Sequence, residues 1–114
     1  MSELFKLTLS DITAKLKARE VSAVELATEG LALREAAQPK LNAFTAFDAD
    51  KTLAMAKASD EKLARGEGGL IEGAPLAIKD LFAVEGVETA ASSNILKGFK
   101  PTYESSVTAK LWEN

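Results

Sequence analysis

A chain of 114 residues with 14 basic and 17 acidic side chains, 46% hydrophobic and 27% charged, suits one small domain or part of a larger one and is too apolar for disorder. Its formal charge of −3 is too mild for a surface that grips phosphate backbones or acidic lipid. The absence of cysteine and of histidine excludes a disulfide framework, a thiolate nucleophile and a Ser-His-Asp hydrolase, and removes the commonest metal ligand.

The opening stretch, MSELFKLTLSD, carries acids early and lacks a long apolar core, which argues against a secretory leader. No apolar run approaches the ~20 residues needed to span a bilayer, so a cytoplasmic setting is expected. Thr8 and Asp11 form a helix-start pattern, and Leu9, Ile12 and Leu16 follow at helical spacing, predicting a helix over about 9–19. Ser22 and Glu25 spell a capping box, and a second helix is expected over 22–37, closed by Pro39. Its apolar residues take up most of the circumference and leave a narrow stripe at Glu25 and Glu29, so cover on more than one side is predicted.

Alternation at 43–47, with Phe44 and Ala46, predicts a strand. A third helix is expected over 49–65, started near Asp48 or Asp50, ended by Gly66, and buried along Leu53, Ala56 and Leu63. After the turn GEGGLIEG, the run APLAI predicts a second strand over 74–79, apolar enough for a sheet interior. The Gly-, Ser- and Thr-rich stretch that follows reads as a long ordered loop, of the kind that often carries function. A last helix is expected over 105–113, capped by Ser105 or Ser106. Two or three short strands are too few for a closed sheet. The expected class is therefore α/β, an N-terminal portion of a larger domain.

Few residues offer chemistry. Ser59 and Lys62 make a Ser-x-x-Lys match, but late in a charged helix and without the companion motifs of penicillin-recognising hydrolases. GEGG lacks the Gly-Lys-Ser/Thr ending of a phosphate loop. Glu25, Glu29, Asp60 and Glu61 read as helix-surface acids, and Trp112 and the five Phe as core. Lys79 stands apart. It ends the apolar run of GAPLAIKDLF, where it either emerges to water as an ordinary strand-end lysine or serves as a base. Bringing a free lysine from ~10.4 to the ~7–8 of a base working near neutrality takes about 4 kcal/mol of bias toward the neutral amine. Burial among apolar groups can supply it.

GAPLAIKDLF resembles the Gly-[Ile/Val]-Pro-[Ile/Leu]-[Ala/Gly]-[Ile/Val]-Lys-Asp core of the amidase signature family. The similarity continues through VEGVETAASSNILKGFKPTYESSVTAKLWEN and reaches back to LTLSDITAKLKAREVSAVEL. Ala74 departs from the usual Val or Ile. Within the family the likeness is to the amide-donating subunits of tRNA-dependent amidotransferases. That resemblance implies an α/β/α amidase fold and a Lys, cis-Ser, Ser triad with Lys79 as its base. The glutamine amide is split, and the ammonia goes to Glu-tRNA(Gln) or Asp-tRNA(Asn). It also implies partner subunits B and C, tRNA contact mainly through a partner, and ATP and magnesium used by the whole complex, with no cofactor in this chain. The family's two serines lie in a segment beyond this sequence, and Ser92, Ser93, Ser105 and Ser106 do not fit it. The chain by itself is therefore expected to be inactive and prone to self-association. The other readings are a non-catalytic interaction module and another hydrolase of the same family.

Overall fold

A computed structural model describes residues 3–114; Met1 and Ser2, which open the stretch read for a leader, lie outside the described residues. The chain divides into two units, one of residues 3–43, 49–75 and 114, the other of Phe44–Asp48 and Leu76–Glu113.

The first unit is helical. A short 3₁₀ turn, Glu3–Lys6, precedes α1, Leu9–Lys17. Thr8 caps α1 reciprocally: its hydroxyl donates to Asp11 Oδ2 at 2.6 Å and accepts from the Asp11 amide at 3.2 Å. Ser22 and Glu25 repeat the arrangement at the start of α2, Ala23–Leu41. Both boxes were legible because their atoms lie three residues apart. The ends of the helices were less so. α1 stops in a Schellman motif, with the amides of Arg19 and Glu20 donating to the carbonyls of Leu16 and Lys15. This puts Arg19 at φ 59°, a conformation that costs a non-glycine residue ~1–2 kcal/mol. Gly66, at φ 71°, closes α3 (Ala49–Ala64) in the same manner without that cost.

Pro39 does not close α2. The helix runs through it to Leu41 and ends on Asn42 in the left-handed conformation, whose amide reaches Gln38 O at 2.8 Å. The buried residues of α2, Ala23, Leu26 and Ala27, lie in its first turns. α3 packs along the helix, and the Phe5 ring lies against Gly30 further on. The core joins these buried residues to Leu16, Val21 and Ala56, with Leu53 and Leu63 packed against them. Full burial of Leu16 and Leu26 stabilises the unit by roughly 1.5–3 kcal/mol each. Asp60, read as a surface acid, is half-buried and caps α2 from α3: its Oδ1 and Oδ2 accept the amides of Ala23 at 2.7 Å and Val24 at 3.1 Å.

The second unit is a doubled-back loop ending in α4, Ser106–Trp112, capped by Ser105. Its limbs run antiparallel, held by Ser105 N–H to Ala83 O, Gly86 N–H to Pro101 O and Thr89 N–H to Phe99 O at 2.9–3.0 Å. Thr89, Pro101 and Thr108 are its buried residues.

No strand forms among the described residues. The two strands expected at 43–47 and 74–79 are not formed: the first bends at Thr45, and neither joins a ladder. The sequence pattern gives a strand its faces, but a strand exists only with a neighbour to complete its ladder, and none of the described segments supplies one. The phenyl rings are likewise not core: Phe5 and Phe82 are half-buried, and Phe44, Phe47 and Phe99 are exposed. The packed centre is built from short aliphatic side chains, which leaves no buried place for them.

Candidate functional site around Lys79

The segment leading to Lys79 starts at Gly73. Its φ is +81°, and a Cβ there would lie 3.0 Å from the Ala23 methyl and 3.4 Å from Leu16 Cδ2. Both the backbone conformation and the space therefore require glycine. Ala74 is half-buried against the same core. The turn before it is held by Glu72, whose side chain is only 8% exposed and accepts from Lys62 Nζ at 3.2 Å and from the Ser59 hydroxyl. The Ser-x-x-Lys match thus has a structural use: both residues converge on one buried carboxylate that ties the turn to α3. Glu72 itself carried no sequence signal, since its partners are 10 and 13 residues away.

Lys79 is exposed. Its carbonyl accepts from the amides of Leu81 at 2.7 Å and Phe82 at 3.1 Å, so the extended run ends there in a tight turn. Among the described residues no serine hydroxyl and no carboxylate bonds its ammonium group. Next to it, half-buried Asp80 accepts the Ala90 amide on Oδ1 at 3.0 Å. Ala90 opens a turn closed by Ser93 N–H to Ala90 O at 2.8 Å. Its central residues, Ala91 and Ser92, have φ of 47° and 58°. This is the type I′ pattern that Asn-Gly normally fills, at a cost of ~1–2 kcal/mol for each non-glycine residue.

Two other serines have local duties: Ser93 Oγ accepts from Ile95 N–H, and Ser105 caps α4. The groove in the first unit lined by Lys15, Glu20, Glu25 and Glu29 has Lys15 on Glu20 and Glu25 in its capping box. Hydrogen bonds from the Ser22 amide and then its hydroxyl hold the Glu25 carboxyl below the usual glutamate range. No group of three or more acidic side chains among the described residues is arranged to hold a metal ion.

A run of Gly-Ala-Pro-Leu-Ala-Ile-Lys-Asp presented in this manner is matched by the Amidase family profile, which covers residues 25–114. The chain belongs to the amidase family. It is 99% identical over all 114 residues to the A subunit of the glutamyl-tRNA(Gln) amidotransferase of Maricaulis maris, and 53% identical over 112 residues to the protein of that name in Mesorhizobium japonicum. It spans 23% and 22% of the lengths of those relatives. A solved chain, from an inhibitor-bound vestigial complex described as revealing the origins of an s-triazine catabolic enzyme, superposes with a TM-score of 0.86 at 30% identity. That match covers 93% of this chain and 24% of the other. The expected amidase fold is thus supported by this structural neighbour, while the strands of the expected α/β class are not formed among the described residues.

Proposed function

We propose that this sequence is the lysine-bearing part of the amide-donating subunit of a tRNA-dependent amidotransferase, which releases ammonia from glutamine with Lys79 as the base. The observation that carries the reading is 99% identity to such a subunit across the full 114 residues, with Lys79 at the end of the apolar run the family pattern requires. In this reading a serine outside the chain attacks the glutamine side-chain carbonyl carbon, forming an O–C bond. The serine proton passes through a bridging cis-serine to the neutral Lys79 amine. Collapse breaks the C–N bond, the departing nitrogen takes a proton, and ammonia leaves; water then frees glutamate from the acyl-enzyme. Ammonia passes to misacylated Glu-tRNA(Gln) or Asp-tRNA(Asn). ATP-dependent activation of the tRNA-borne carboxylate and most tRNA contact belong to partner subunits B and C. The setting is cytoplasmic; among the described residues no helix is long and apolar enough to cross a membrane.

The same reading makes the 114-residue chain inactive alone. Lys79 is open to water, and its serine partners lie elsewhere. A triad's members act as a unit, so one without the others retains little of their joint effect. The test is Lys79→Met in a full-length subunit assembled with its partners. Glutamate release from glutamine should fall by about 10³-fold or more, while amidation driven by added ammonium chloride, which needs no amide hydrolysis, continues. Retention of the glutamine-splitting rate would end the proposal.

A further inference from the structure

We propose that Asp80 is a positioning residue for Lys79, acting through its hydrogen bond to the Ala90 amide; the inference rests on the reading of Lys79 as the base. Asp80 shares a peptide bond with Lys79, and the Lys79 carbonyl is occupied by the amides of Leu81 and Phe82. Fixing the Asp80 side chain therefore fixes the plane of the 79–80 peptide and the direction in which the Lys79 side chain leaves the backbone. The far end of the tie is itself held. Ala90 follows Thr89, which is buried and bonded to Phe99 O, and it precedes the left-handed pair Ala91 and Ser92. A turn of two non-glycine residues at positive φ persists only where its surroundings hold it, and Asp80 supplies an acceptor at its first residue.

Other acids brace the same doubled-back loop, Glu88 on the Gly98 amide and Glu104 on the Glu85 amide. Neither adjoins the lysine. Asp80 alone among these three braces both the loop and the backbone that carries Lys79. A long flexible amine that must meet a serine hydroxyl depends on this kind of constraint, because small misplacements of a reacting group are expensive.

The experiment uses the full-length subunit in its complex and compares Asp80→Ala, Asp80→Asn and Lys79→Met with glutamine and with ammonium chloride as nitrogen donors. Asp80→Ala should lower glutamine-driven kcat by about 10- to 100-fold and leave KM for glutamine within about threefold. Asp80→Asn, whose amide oxygen accepts the same N–H, should recover most of that loss. Ammonium-driven amidation should be equal in all three, which separates positioning from a general loss of fold. Equal losses with both donors, a loss in Asp80→Asn as large as in Asp80→Ala, or an unaffected Asp80→Ala would each overturn the assignment. If Lys79→Met is inactive with glutamine while Asp80→Ala is normal, the Asp80 proposal fails alone. If Lys79→Met stays active, the reading of Lys79 as the base fails.

Discussion

The Thr108 hydroxyl has one proton and four oxygens within reach: Ala83 O at 2.9 Å, Ser105 Oγ at 2.9 Å, Ser105 O at 3.2 Å and a Glu104 carboxylate oxygen. The residue is 0% exposed, so no water replaces what the side chain provides. Thr108→Val keeps the shape and removes the hydroxyl, leaving acceptors buried without their donor. The expected loss is about 1–3 kcal/mol, read as a lower urea midpoint at unchanged slope for the purified chain. Thr108→Ser, which keeps the hydroxyl and drops a methyl, should lose about 1 kcal/mol. Equal midpoints for Thr108→Val and the parent would show that the network contributes nothing. Residue by residue, only part of this was readable in advance. A cap at Ser105 or Ser106 was readable from their position before an apolar helix, and Ser105 fills it, but Thr108 at the third position of that helix looks like any other residue there. What makes it important is Ala83, 25 residues earlier. Asp60 is the same case, a helix-surface acid by its neighbours and a cap by its partners 36 and 37 residues away.

Helices α1 and α2 begin with boxes whose carboxylates are used only when ionised. Asp11 is held below the usual aspartate value of 3.8 by the Thr8 hydroxyl first and the Thr8 amide second. Glu25 is held below the usual glutamate value of 4.5 by the Ser22 amide first and its hydroxyl second. The folded chain therefore binds these protons less readily than the unfolded chain. The stabilisation is complete above the ordinary carboxyl values and is lost as pH falls through the lowered folded ones. Thermal midpoints should drop across that acid window, and Asp11→Asn with Glu25→Gln should flatten the drop while lowering stability at neutral pH. An unchanged acid limb in the double variant would place the titration elsewhere. Elements whose stabilising atoms are local, as in these boxes and in the Gly66 turn, were legible; those that depend on neighbours were not. Pro39 misled: it has no N–H to give to the carbonyl four residues back, yet α2 continues two residues past it, and the stop is Asn42, which adopts the left-handed cap.

For the molecule as a whole, the extended run up to Lys79 poses the main physical question. Ala74 N–H reaches Ile71 O, but among the described residues the amides of Leu76, Ala77, Ile78 and Lys79 donate to nothing, and Leu76 is 40% exposed. A run this apolar, patterned for a sheet interior, is stable in water only as long as its neighbours hold it in place. The chain spans about a quarter of its relatives' length, so in the proposed longer subunit other strands would be the neighbours this run is patterned for. That is also why the two predicted strands were visible as patterns and absent as structure: the alternation is local, the ladder is not. Exposed Ile95, Leu81 and Tyr103 follow the same logic, as side chains that the proposed longer subunit would cover. Amide hydrogen exchange decides the matter without reference to activity. In the 114-residue chain the amides of 76–79 should exchange at nearly the rate of an open peptide. In a full-length subunit they should slow by at least about two orders of magnitude, because exchange there requires the strand to leave its sheet. Equal rates in the two proteins would mean that the run is not a strand in either. In that case the apolar setting invoked for Lys79 would have no structural basis.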